Sequence, residues 1–131
     1  MILERLIVGM LQTNCYLLGD PHSRQAVVID PGGDVDRIAV RLEHHRLELV
    51  NILNTHGHFD HIGGNRYFRE TYGAKIYLHA QDLLVYENTI GIAKLWGIFV
   101  EKAPKPDIFV QDGSVITVGD ISLEVLHIGR V

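Results

Sequence analysis

Along this chain, apolar residues follow a period of two in some stretches and a helical period in others, and the switches mark the elements. Residues 2–8 and 13–19 are strand-like, and only Gly9-Met10-Leu11-Gln12 separates them, which predicts an antiparallel pair. Gly19-Asp20-Pro21-His22-Ser23 has turn composition. Gln25-Ala26-Val27-Val28-Ile29 is a third strand that runs into Asp30-Pro31-Gly32-Gly33. Helical spacing then takes over. Val35, Ile38, Ala39 and Leu42 make one buried stripe of a helix over 35–46, with Asp34 as its N-cap. His44 and His45 close that helix and are read as solvated, or as favourable charges near its C-terminus.

The run Leu49-Val50-Asn51-Ile52-Leu53 is a buried strand, Asn65 to Tyr72 is a helix stopped by Gly73, and Ala74-Lys75-Ile76-Tyr77-Leu78 is the next strand. Strand, helix, strand, helix, strand predicts a mixed or parallel sheet centre with helices on at least one face. Residues 83–110 carry no clear period and are read as a lid or partly helical insertion. Trp96 and Phe99 within it are assigned to core packing rather than to a substrate mouth. Residues 114–118 and 121–126 form a closing hairpin.

The length of 131 residues suggests one domain over 1–131, and 47% apolar with 21% charged residues is ordinary for a globular protein. Twelve basic against sixteen acidic side chains leave a net charge of -4. There is no basic block, so neither nucleic acid nor membrane is an expected partner. Cys15 is the single cysteine, which excludes an internal disulfide. It lies in an apolar run and is read as a small core residue, not a nucleophile. The early acid Glu4 and the absence of an uninterrupted apolar stretch argue against a signal peptide, so the expected location is cytoplasmic.

The chemistry concentrates in Asn54-Thr55-His56-Gly57-His58-Phe59-Asp60-His61-Ile62-Gly63-Gly64-Asn65. Three histidines and an aspartate fall within six residues, on a strand-to-helix turn where α/β proteins commonly present functional groups. Neutral imidazole and carboxylate suit zinc and similar divalent ions. The absence of thiolate suits an open, hydrolytic centre better than a closed structural one. The bland alternative is a polar loop that happens to be rich in histidine, and the acidic company argues against it. Asp30, at the end of a strand, either faces this site or simply forms a turn before proline.

Thr55 to Gly64 matches H-x-H-x-D-H, and with it the chain resembles the metallo-β-lactamase superfamily, in particular its glyoxalase II-like hydrolases. Thr13-Asn14-Cys15-Tyr16-Leu17, Val28-Ile29-Asp30-Pro31-Gly32, Ile76-Tyr77-Leu78-His79-Ala80 and Gln111-Asp112-Gly113 fit the same pattern. The resemblance implies an α/β fold, the αβ/βα sandwich with a mixed sheet and flanking helices, of which this chain would form the N-terminal half to two thirds. It implies that His56 and His58 bind a first metal ion and Asp60 and His61 a second. Asp60 would also act catalytically by orienting the nucleophile, and Asp30 would support the ligands from behind. Up to two divalent ions are implied, zinc first, with iron or manganese possible. His79 would be structural.

The implied activity is that of a hydrolase in which a metal-activated water attacks a thioester, or a related ester or lactone carbonyl, of a small-molecule substrate. The family's next motif would begin at His127, and Val131 stands where a further histidine ligand belongs. The expected alternative is therefore a non-catalytic metal-binding fragment, or part of a split enzyme that needs a partner chain. A homodimer or a complementing chain is expected to cover the sheet face left without a layer.

Overall fold

The structure, a computed structural model, describes residues 1–97 and 102–126. Six strands form one sheet in simple sequential order: β1 (Ile2–Val8), β2 (Thr13–Gly19), β3 (Gln25–Ile29), β4 (Glu48–Asn54), β5 (Lys75–His79) and β6 (Ile108–Val110). β1, β2 and β3 pair antiparallel, and β3, β4, β5 and β6 pair parallel. The sheet is mixed, as the alternation of strands and helices predicts. The short β6 lies inside the stretch whose period is unreadable. It is only three residues long, and its place in the sheet comes from pairing with β5, not from any pattern of its own.

One face of the sheet carries the helices α1 (Val35–His44) and α3 (Asn65–Tyr72). Ile38 and Leu42 of α1 and Phe68 of α3 are fully buried against Leu17, Val28, Ile52 and Ile76. Each such side chain contributes about 1.5–3 kcal/mol through removal from water. α1 ends at His44, short of the predicted end at 46. Arg46 takes a left-handed φ of 55°, Leu47 N–H reaches back to Leu42 C=O at 2.9 Å, and Arg46 N–H to Glu43 C=O at 3.0 Å. That pair of bonds caps the last turn and buries Leu47.

Two capping expectations change. Asp34 adopts φ 50° and makes no side-chain cap; its carboxylate instead accepts from Gly9 N–H at 2.9 Å. His45 is not simply solvated, because its Nε2 meets the Glu4 carboxylate, which Arg41 also grips at 2.8 and 3.0 Å. The cluster ties the end of α1 to the edge strand β1, and its bonds hold the Glu4 carboxyl below the usual carboxylate range in spite of partial burial.

The opposite face is met by a separate hairpin, β7 (Val115–Val118) and β8 (Ile121–Glu124). Val118 is buried against Leu18 and Val27, with Leu53 and Leu123 beside them. The Asp20 carboxylate anchors the hairpin turn, beside a bond from Gly119 N–H to Gln25 Oε1 at 3.2 Å. Asp20 accepts from Asp120 N–H at 2.9 Å, from Ser23 Oγ at 2.9 Å and from His22 N–H at 3.1 Å. Gly119 has φ 57°, and a Cβ there would collide with Asp20 and Ser23. The backbone hydrogen bonds from Asp120 and His22 hold the Asp20 carboxyl down at about 2.

This arrangement generates a prediction. A depressed folded-state pKa gives stability that is present above the ordinary carboxylate pKa of about 4 and is lost as pH falls towards 2. Asp20→Asn should therefore melt well below wild type at pH 7, and the gap should narrow on acidification through that window. Gly119→Ala should cost at least about 1–2 kcal/mol at any pH. Thermal melts of the three proteins from pH 7 to pH 2 check both expectations; a gap that does not change with pH removes Asp20 as the anchor.

Candidate metal centre

The histidine turn leaves the end of β4, in the parallel part of the sheet. Loops there gather at the carboxyl ends of the strands, the usual place for a site in such sheets. A short helix, α2 (Phe59–Ile62), begins within the turn and carries Asp60 and His61, and α3 follows it directly. Phe59 and Ile62 are buried, so the two donors between them are held on the side away from the core.

The structure brings His56, His58, Asp60 and His61 together. The His56 and His61 rings stand edge to face with centroids 5.0 Å apart, and those of His56 and His58 are 5.9 Å apart. Asp60 Oδ2 lies 3.2 Å from His61 Nε2. With metal bonds of about 2.0–2.2 Å, two ligands of one tetrahedral ion are separated by about 3.4 Å, and two ring centroids around one ion by roughly 5 Å. The donor types and pairwise spacings thus fit a divalent ion. Among the described residues, however, no group of three His, Cys, Asp or Glu is arranged to hold an ion as it stands.

Asp30, in the turn after β3, lies beside the histidine turn. It is buried and sits at φ 56°, a left-handed backbone that aspartate tolerates better than most residues. Its Oδ1 accepts from Thr55 N–H at 2.7 Å, its Oδ2 accepts from the Thr55 hydroxyl, and its Oδ2 lies 3.1 Å from His61 Nδ1. One nitrogen of His61 therefore addresses Asp30 and the other Asp60. Behind Asp30, Gly32 packs backbone to backbone on the turn, and a Cβ at Gly32 would overlap the Asp60 carbonyl oxygen.

A buried amide network supports the turn from below. Asn54 Nδ2 donates to His61 C=O at 3.2 Å, and Asn65 Nδ2 donates to Asn54 Oδ1 at 2.7 Å and to Tyr86 Oη at 3.2 Å. Tyr86 belongs to α4 (Leu83–Glu87) and donates to Pro104 C=O. Burial pushes its phenol up to about 12, against the opposing effect of the Asn65 bond. Thr89, at the start of α5 (Thr89–Leu95), donates to Gly57 C=O at 2.8 Å. Chain periodicity gives no sign of these contacts, although the polar residues flanking the histidines, Asn54 and Asn65, were visible signals. His79 accepts from Gln81 N–H at 3.2 Å and starts the 3₁₀ turn Ala80–Asp82.

The expected core role of Trp96 does not hold: it is 64% exposed and touches Phe59 edge to face, with centroids 6.1 Å apart. Phe99, His127 and Val131 lie outside the described residues. Beside His56 is a cavity of about 380 Å³, walled largely by Leu53, Val110, Leu123 and Leu126.

The family profile of the Metallo-beta-lactamase superfamily matches residues 8–130. A Haemophilus influenzae protein described as hydroxyacylglutathione hydrolase GloC is 32% identical over 130 residues, which are 98% of this chain and 61% of that protein. The crystal structure of the BLEG-1 B3 metallo-beta-lactamase superposes with a TM-score of 0.83 at 31% identity, covering 96% of this chain and 61% of that one. TTHA1623, crystallised in a di-iron-bound form, gives a TM-score of 0.77 at 32% identity, covering 85% of this chain and 55% of that one. The chain spans less than two thirds of the length of each.

Cys15 is buried in the core under the helices, and desolvation, aided by the Asp30 charge, pushes its thiol up to about 12. Because a raised pKa removes thiolate at neutral pH, Cys15 should resist a disulfide reagent at pH 8 in the folded protein and react fully in denaturant. Rapid labelling of the folded protein would place the thiol at the surface.

Proposed function

The chain belongs to the metallo-beta-lactamase superfamily, and from that premise we propose that it serves a metal-dependent hydrolase acting on a small ester or thioester. The observation that carries this reading is the pairing of His61 with Asp30 on one nitrogen and Asp60 on the other. His56, His58, Asp60 and His61 would hold the metal, zinc in the first instance. A divalent ion bound there supplies Lewis acidity, which acidifies a water and polarises a carbonyl.

The remaining steps fall to side chains. Asp30, with Oδ2 3.1 Å from His61 Nδ1, would steady the ring so that Nε2 is turned to the ion, the way carboxylates orient ligating histidines. Thr55 holds Asp30 through backbone and hydroxyl. Asp60 accepts a proton from the attacking water and fixes its direction. The apolar cavity beside His56 offers room for the acyl part of a substrate. A thioester such as an acylated glutathione is the finer proposal, supported by the relative described as a hydroxyacylglutathione hydrolase.

A second reading is a metal-binding unit that turns over only with a complementing chain; it is favoured by one observation, that no three donors among the described residues are arranged to hold an ion. It also concerns association. By strand alternation, Leu3, Ile7, Tyr16 and Ile108 share the sheet face opposite the helices, and they remain 57%, 47%, 37% and 36% exposed. Such a surface suits a homodimer or a complementing chain. No helix among the described residues is long and apolar enough to cross a membrane.

Zinc titration by calorimetry should show binding that His58→Ala and Asp60→Ala each weaken by at least about tenfold. Equal affinity in all three proteins would defeat the proposal. Turnover of thioesters by the chain alone should stay below roughly 10⁴ M⁻¹s⁻¹ in kcat/KM, and faster turnover abolished by the same variants would rule out the need for a partner. Light scattering at micromolar concentration should report a dimer or larger species; a monomer that melts cooperatively and binds no apolar dye would overturn the association.

A further inference from the structure

The Asp60 carboxylate has a neighbour from a distant part of the chain. Thr13 opens β2, opposite Val8 of β1, and is 8% exposed. Its Oγ1 donates to Asp60 Oδ2 at 3.1 Å across forty-seven positions of sequence. An ionised carboxylate only accepts, so the hydroxyl must be the donor. Thr13 is also β-branched and fixed in a strand ladder, which restricts its χ1 and therefore the place from which the hydroxyl acts.

We propose that Thr13 is a positioning residue for the metal centre: its hydroxyl sets the orientation of the Asp60 carboxylate and thereby the affinity of the site for a divalent ion. The inference rests on the reading of Asp60 as a ligand. Three features of the turn support it. Asp60 lies in the first turn of the four-residue α2, too short an element to hold a side chain rigidly by its own packing. The same oxygen that receives the Thr13 bond stands 3.2 Å from His61 Nε2, so any swing of the carboxylate changes the spacing of that donor pair. The opposite flank is already closed by the approach of Gly32 to the Asp60 carbonyl. Backbone is thus fixed from the Asp30 side and side chain from the Thr13 side. Partners of this kind, one step behind a ligand, commonly alter metal affinity by about ten- to a hundredfold.

The test compares Thr13→Val, which keeps the branched shape without the hydroxyl, with Thr13→Ser, which keeps the hydroxyl. Zinc affinity is measured by calorimetry, the visible spectrum of bound cobalt reports ligand geometry, and metal-free melts report folding. Thr13→Val should lose about tenfold or more in zinc affinity and shift the cobalt spectrum, Thr13→Ser should recover both, and the metal-free melts of the two should agree closely. Should the valine variant fail to fold, Thr13→Ala takes its place in the same comparison. Wild-type affinity in the variant lacking the hydroxyl overturns the proposal, as does a loss that serine does not recover. A wild-type protein that binds neither zinc nor cobalt defeats the metal reading itself, and the role of Thr13 with it.

Discussion

A buried carboxylate must find donors, and the arrangement of this molecule around Asp30 follows from that constraint. Burying an ionised group without partners would cost several kcal/mol. Asp30 meets the requirement by drawing on one residue pair, Thr55 and His61, that belongs to the next parallel strand and its following turn. The end of β3 is thereby fastened to the start of the histidine turn. Because the sheet is parallel at this point, both ends open in the same direction, and the turn is held at the edge of the sheet with its donors facing outward. Breaking that contact would leave the Thr55 amide without its Asp30 acceptor and remove one of the supports of the loop.

Rigid support from three directions follows. Asp30 acts from the neighbouring strand, the Asn54–Asn65–Tyr86 network from beneath, and Thr13 from β2. All three converge on the six residues from His56 to His61. The hairpin β7–β8 is held separately, by Asp20 and Gln25, and packs on the opposite sheet face against Leu18 and Val27. The site and the hairpin therefore depend on two different carboxylates at opposite ends of β2 and β3.

How much of this is legible in the sequence depends on the distance between partners. His56, His58, Asp60 and His61 are adjacent in the chain, so their chemistry can be read from the motif alone, and the alternation of strands and helices suffices for a mixed sheet. Asp30 is ambiguous in sequence because its acceptor role depends on Thr55, twenty-five positions away. Thr13 looks like any strand residue until the fold places it against Asp60, and His45 looks like a solvated helix end until β1 brings Glu4 to it. Trp96 misleads for a different reason: aromatic bulk favours burial on average, but Trp96 meets Phe59 edge to face and leaves most of its surface to solvent. β6 escapes because three residues cannot display a period.

Anomalous diffraction at the zinc edge, from crystals grown with zinc, tests the account most directly. An anomalous peak is expected within bonding distance of Asp60 Oδ2 and His61 Nε2, with His61 Nδ1 still beside Asp30. A peak only at exposed histidines such as His22 or His44, or a protein that crystallises with zinc and shows no peak at the turn, would contradict it.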